Sequence, residues 1–93
     1  MTPYDAYRER AIDTPMGNVE IAERLWNEGE DDEKWAYTQS LNPELGDNAI
    51  TGEALGHFVK CFAVARQLVE EGYTLYGQID SEHLLWVRYT KPP

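Results

Sequence analysis

Cysteine is scarce in this chain of 93 residues and occurs once, at Cys61. A single thiol cannot form an internal disulfide, so the composition excludes a disulfide framework and agrees with a reducing compartment. No apolar run approaches the roughly 20 residues that a membrane-spanning helix needs. The first 16 residues carry five charged side chains where a secretory signal needs an apolar segment. We therefore predict a cytoplasmic protein without a membrane partner.

Motifs for enzymatic chemistry are missing as well. The seven glycines never form the clustered spacing of a Walker or dinucleotide-binding loop. Histidine occurs only at His57 and His83, and neither lies in a recognisable nucleophile motif. We therefore predict a protein that is not an enzyme and that carries no cofactor.

Basic residues are few: eight lysines and arginines face 17 aspartates and glutamates, for a formal net charge of −9. A chain this negative repels phosphate backbones, so direct binding to nucleic acid is not expected. The acidity lies mainly in residues 1–50, which hold twelve acids and four bases, whereas residues 51–93 hold five and four. The first half of the chain therefore carries the most informative feature of the composition.

The length suffices for one hydrophobic core, so residues 1–93 are predicted to form a single domain. Thr2, followed by proline, predicts a first helix that reaches Ile12. A second helix begins either at Thr14, again before proline, or at Asn18, and ends near Gly29. Residues 30–41 fit a helix, which we favour, but also fit the two-residue alternation of a strand.

The clearest predicted element is a long helix over 52–71, capped by Thr51 and terminated by Gly72. Its apolar face carries Phe58 and Leu68, with Cys61 at the edge of that face, and its polar stripe includes Val64. After Gly72 the period changes to two, which predicts a hairpin of residues 73–79 and 83–90 around a three-residue loop. The predicted register pairs Leu75 with Val87 and Tyr73 with Tyr89 on one face of the hairpin. On the other face it pairs Tyr76 with Trp86 and Thr74 with Arg88. The predicted fold is α+β, with three or four helices on a C-terminal antiparallel hairpin, which becomes three-stranded if 34–41 are extended.

Three groups of residues are candidates for function. The first is a possible metal quartet of Glu53, His57, Cys61 and His83, although zinc sites usually use two close cysteine or histidine pairs, and we predict that no metal binds. The second is an aromatic face on the hairpin, which resembles an interaction hot spot but also suits burial under the N-terminal helices. Its members are Tyr76, Trp86 and Arg88.

The third group is an acidic cluster. Five acids fall within six residues, interrupted only by Gly29, and two more precede them at helical spacing. Such density costs stability through mutual repulsion unless it serves solubility or binding. A carboxylate surface can occupy a groove built for nucleic acid, where lysines and arginines of the partner attract it. The predicted partner-binding residues are Glu20, Glu23, Glu28, Glu30, Asp31, Asp32 and Glu33.

In size, acidity and absence of an enzymatic motif, the chain resembles the small anti-defence proteins of phages and mobile elements, anti-CRISPR proteins above all. The resemblance implies a stoichiometric inhibitor that binds a CRISPR effector or nuclease and blocks its nucleic-acid site or its activation. We therefore expect a non-enzymatic binding protein that docks on a basic partner surface. The alternative is a structural adaptor or oligomerising module that uses the aromatic hairpin face.

Overall fold

The computed structural model describes residues 2–14, 17–42, 44, 48–79, 81–83 and 85–92. Within them, five helices precede a two-stranded antiparallel sheet, so the predicted α+β class is confirmed. None of these described helices has the length and apolarity that crossing a membrane would require. The elements are α1 (Pro3–Asp13), α2 (Val19–Glu28), α3 (Asp31–Ser40), α4 (Gly52–Cys61), α5 (Ala63–Glu70), β1 (Thr74–Ile79) and β2 (Leu85–Thr90).

The first two helices begin at capping residues that satisfy free amides of the first turn. The Thr2 hydroxyl accepts from the Asp5 amide at 3.2 Å, and the Asp5 carboxylate accepts in return from the Thr2 amide at 3.1 Å. Asn18 caps α2 by accepting from two backbone amides. Thr14 instead ends α1, so Asn18 is the correct choice of the two predicted starts. The neighbouring Pro15 lies outside the described residues.

Residues 31–40 are helical, so the helix favoured for this region is confirmed and the three-stranded sheet built from 34–41 does not form. A different segment lies beside β1. The Ile50 amide donates to the Leu75 carbonyl at 3.0 Å, and Ala49 forms a bridge with Tyr76. Gly77 permits this approach, because a Cβ there would lie 2.6 Å from the Ile50 side chain.

The predicted helix over 52–71 is two helices, which is a correction. Phe62 separates them with extended backbone angles, φ −126° and ψ 116°. No glycine or proline stands at the break, so the sequence carries no helix-breaking residue there. Beyond it, α5 buries Val64, which was predicted on the polar stripe, together with Leu68. Cys61, predicted at the edge of the core face, is exposed.

The hairpin has a different register from the predicted one. Leu75 pairs with Tyr89 instead of Val87, and Thr74 and Tyr76 shift by the same two residues. Tyr73 precedes the paired strand. The strands end at Ile79 and begin again at Leu85, so the connection has five residues and not three. Because side chains alternate with a period of two, this shift keeps each residue on its predicted face.

The hydrophobic core joins α1, α2, α3, α5 and one face of the hairpin. It is rich in tyrosine: Tyr37 and Tyr89 are fully buried, with ring centroids 5.7 Å apart. Tyr7 of α1 packs on both Trp26 and Tyr37. The N-terminal helices therefore bury their aromatic residues against α3, and not on the outer face of the hairpin.

Candidate partner-binding surface

Four carboxylates are exposed where α2 ends and α3 begins, and we call Glu28, Glu30, Asp31 and Asp32 the acidic edge. The chain turns at Gly29, whose amide donates to the Leu25 carbonyl at 2.8 Å. A Cβ at Gly29 would lie 2.6 Å from that oxygen, so the turn requires glycine. The positive end of the α3 dipole partly offsets the repulsion among the acids that follow.

Two bases of the described chain lie near the acidic edge. Arg24 is one helical turn before Glu28, and its pKa is raised by hydrogen bonding to Glu71, its ion-pair partner, and also by the nearby Glu28 charge. The Lys34 ammonium is 3.8 Å from the Asp31 carboxylate and 5.4 Å from the centre of the Trp26 ring. The Asp31 side chain is fully exposed, so solvent screens this ion pair strongly. Lys34 therefore leaves the acidic edge with a clear excess of negative charge.

Glu33 does not belong to this surface, and the prediction that it faces solvent is wrong. Its side chain is fully buried, and its Oε2 accepts a hydrogen bond from the Tyr89 hydroxyl at 3.1 Å. The cause is helical periodicity. Glu33 lies three residues before Ala36 and four before Tyr37, so it shares the face that α3 turns to the core.

Burial raises the pKa of Glu33, and the Tyr89 hydroxyl and the nearby backbone amides of Ala65 and Glu30 oppose that rise. Oε1 has no hydrogen-bond partner of ordinary geometry among the described residues. Burial also raises the pKa of Tyr37 to about 12 and holds that of Tyr89 well above its usual value. The acid and its tyrosine neighbours form a buried polar cluster that favours protonated side chains.

The two acids predicted on α2 behave differently from each other. Glu20 forms an ion pair with Lys91 at 2.6 Å, and hydrogen bonding to that lysine lowers the pKa of the Glu20 carboxyl. Glu23 is exposed. Glu20 lies eight residues before Glu28, roughly 12 Å away along the helix axis. Lys91 therefore pairs with an acid that lies outside the acidic edge.

The aromatic hairpin face is largely covered by α3. Arg88 is only 5% exposed, and its guanidinium donates to the backbone carbonyls of Ser40 and Asn42 at the end of that helix. Trp86 is half-buried and contacts Trp35, with ring centroids 4.7 Å apart. Tyr76 is also half-buried. The prediction that Arg88 is available to a partner is therefore wrong, because this residue binds the C-terminal end of α3.

A cleft of about 350 Å³ opens beside the acidic edge, between α3 and α4, and sequence reasoning missed it. Trp35 stands on its wall with 52% of its surface exposed, an unusual exposure for so large an apolar side chain. The acidic edge reaches the same wall through Asp32. The α3–α4 cleft is lined by Asp32, Trp35, Ala36, His57, Phe58, Phe62 and Leu85.

The suggested metal quartet does not come together in the described part of the chain. The His57 Nε2 atom lies 3.7 Å from the Cys61 sulfur, as expected one helical turn apart on α4. Within the described residues, no group of three histidine, cysteine, aspartate or glutamate side chains could hold a metal ion. His57 is therefore better described as a wall of the α3–α4 cleft.

Comparison of the chain with protein-family models, with curated proteins and with solved structures finds no match. The candidate site is therefore defined by the surface of the chain itself. Its components are the acidic edge, the adjoining α3–α4 cleft, and the arrangement of α3 that separates exposed acids from the buried Glu33.

Proposed function

We propose that this chain is a non-enzymatic binding protein that docks through its acidic edge on a basic, nucleic-acid-handling partner and inhibits it. The observation that carries the proposal is the group of exposed carboxylates at the α2–α3 junction, which outnumber the two nearby bases, Lys34 and Arg24. These carboxylates are Glu28, Glu30, Asp31 and Asp32.

The charge of the acidic edge indicates the class of partner. Duplex DNA presents about one negative charge per 1.7 Å of axis, and proteins that bind it answer with lysine and arginine. The acidic edge offers consecutive carboxylates on a folded scaffold, so it suits the same basic grooves. A protein in such a groove excludes the nucleic acid, which gives inhibition by competition. The resemblance to anti-CRISPR proteins makes a CRISPR effector or nuclease the partner class to examine first.

The alternative role as an adaptor gains no support, because it needs a free Arg88. That side chain is buried against α3, where it binds backbone carbonyls. The exposed aromatic side chain is instead Trp35 of α3, which lies beside the acidic edge. We therefore keep a single proposed binding surface.

The experiment compares two double variants with the same change in net charge. The edge variant carries Asp31→Lys with Asp32→Lys, and the control variant carries Glu9→Lys with Asp13→Lys on exposed positions of α1. A protein captured by the wild-type chain is identified, and release of labelled nucleic acid from it is measured as each variant is added. We expect the edge variant to compete at least about tenfold less well, which corresponds to about 1.4 kcal/mol.

The control variant should compete nearly as well as the wild-type chain, because its changes lie outside the acidic edge. Circular dichroism checks that both variants keep the fold. Equal competition by the edge variant and the wild-type chain would contradict the proposed function.

A further inference from the structure

We infer that the α3–α4 cleft is an anchor pocket, and that the partner segment that fills it carries one large apolar side chain flanked by lysine or arginine. This inference rests on the proposed function and names the chemistry of the docking segment. The observations behind it are the lining of the cleft, its exposure and the charge at its rim.

The cleft has an apolar wall that the fold leaves partly uncovered. Trp35, Phe62 and Leu85 all line it, and Trp35 is 52% exposed. Phe58, by contrast, is only 4% exposed and forms the floor. At about 350 Å³ the space lies near the lower end of the roughly 300–1,000 Å³ of ligand sites, which suits a side chain better than a folded element.

The break at Phe62 explains why the cleft stays open. Helix α4 ends at Cys61 and makes its contacts chiefly with α5, so it does not close over α3. Phe58 is the one buried residue within the described side chains of α4, and His57 beside it is exposed. The rings of Phe58 and Phe62 are 4.7 Å apart, and both line the cleft.

Charge determines what can occupy the cleft. Asp32 belongs both to the lining and to the acidic edge, so an occupant brings its neighbouring residues against carboxylates. Lys34 does not neutralise this rim, because its ammonium lies near Asp31 and the Trp26 ring. A second copy of this chain is a poor occupant, since its own acidic edge would meet this one at a net charge of −9 per chain.

An apolar side chain between basic residues satisfies both parts of the site. The apolar group buries against Trp35 and Phe62, where a tryptophan at the centre of an interface typically dominates binding. The flanking bases face the acidic edge, which accelerates encounter and fixes the orientation of the segment. Neither part alone selects such a segment, since apolar peptides lack the charge and polylysine lacks the anchor.

The test uses a short peptide with a central leucine and lysines on both sides. Matched peptides replace the leucine by serine, or the lysines by glutamines. Binding is followed through the indole N–H signals of ¹⁵N-labelled protein, which Trp35→Phe assigns. We expect the leucine–lysine peptide to shift the Trp35 signal and to leave Trp26, which packs on Tyr4 and Tyr7, unchanged.

We further expect the leucine–lysine peptide to bind at least about tenfold more tightly than either matched peptide. Trp35→Ala should lower the affinity of the protein for that peptide by at least about tenfold. Because Trp35 also contacts Trp86, the peptide series with unchanged protein remains decisive if that variant fails to fold.

Four outcomes would overturn the inference. Equal binding of the leucine and serine peptides with a static Trp35 signal would leave the acidic edge as the binding surface and remove the anchor. Equal binding of the leucine–glutamine peptide would make the cleft a general apolar site. Absence of binding by every peptide, or self-association of the chain through Trp35, would also refute it. The proposed function is decided separately, by competition at the captured partner.

Discussion

Glu33 is a carboxyl group without access to solvent, next to three tyrosines of the core. Its Oε2 accepts from Tyr89, and its charge adds to the rise that burial causes in the pKa values of Tyr7 and Tyr89. An ionised carboxylate in such a place loses hydration that the Tyr89 hydroxyl and the nearby backbone amides replace only in part. The ionised side chain therefore costs stability near neutral pH.

Replacement of this carboxyl should make stability less dependent on pH. Burial raises the folded-state pKa of Glu33 above its ordinary value of 4.5, so the folded chain holds the proton more tightly than the unfolded chain. The stability from the protonated form is fully present below pH 4.5 and is lost as pH rises through the raised pKa. We expect Glu33→Gln to be about 1–3 kcal/mol more stable than wild type at pH 7, with the difference shrinking toward pH 4.

Denaturant unfolding across this pH range measures the effect. Glu23→Gln, which removes an exposed carboxylate from α2, is the matched control and should show no such trend. A difference between Glu33→Gln and wild type that stays constant with pH would contradict the assignment of Glu33 as the buried titrating group.

Arg88 connects β2 to the end of α3 by geometry that lysine cannot reproduce. Its guanidinium reaches two backbone carbonyls, those of Ser40 and Asn42, from one planar group. We expect Arg88→Lys to lower the free energy of unfolding by about 1.5–3 kcal/mol, as for hydrogen bonds to a charged group. Arg66→Lys, on an exposed position of α5, should change it by less than about 0.5 kcal/mol. Equal effects of the two variants in urea unfolding would show that Arg88 has no such role.

The strand β1 is flanked on its outer edge by the segment 48–50, and Gly77 makes room for it. A Cβ at that position would lie 2.6 Å from the Ile50 side chain and 2.9 Å from the Trp86 carbonyl oxygen. We expect Gly77→Ala to lower stability by about 1–3 kcal/mol through overpacking. Gly56→Ala is the control, because nothing lies within 4 Å of its added methyl and alanine favours helix α4 by up to about 1 kcal/mol. The midpoint temperature of thermal unfolding should therefore fall for Gly77→Ala and rise for Gly56→Ala. A Gly77→Ala variant more stable than the wild-type chain would refute the close approach.

Elements with local signals could be predicted from the sequence. Thr2, Asn18 and Gly29 carry the capping and turn chemistry that begins or ends α1 and α2, and the structure uses each of them. The break at Phe62 had no local signal, because no glycine or proline stands there and the apolar pattern continues across it. The predicted hairpin register is wrong by two residues. The alternation of the two faces excludes a shift by an odd number of residues but allows a shift by two, and only the length of the loop distinguishes these registers.

Only the part of the candidate site that has a local sequence signal could be predicted. Dense acids at positions 28–32 are visible in the sequence, and their exposure follows from their place at a turn and a helix start. Glu33 could have been separated from them, because its spacing to Ala36 and Tyr37 is that of a buried helix face. The α3–α4 cleft could not, because Trp35 and Phe62 meet there only through tertiary packing.

The charge of the chain is distributed so that its own bases neutralise acids elsewhere. Lys91 pairs with Glu20, and Arg24 pairs with Glu71 through its two terminal guanidinium nitrogens at 3.0 and 2.6 Å. The acidic edge shares Lys34 alone among the described ion pairs. Four exposed carboxylates therefore lie together at one junction against two nearby bases. We predict that this junction, and not total charge, governs association.

The rate of association with the captured partner, measured by stopped flow as ionic strength rises, tests this claim most directly. For the wild-type chain we expect a steep fall in rate toward about 0.5 M salt, where the Debye length is only a few ångströms. The edge variant, Asp31→Lys with Asp32→Lys, should associate at least about tenfold more slowly at low salt and lose most of that dependence. The control variant, Glu9→Lys with Asp13→Lys, should follow the wild-type chain. Equal slowing of both variants would show that net charge alone acts and would contradict the account.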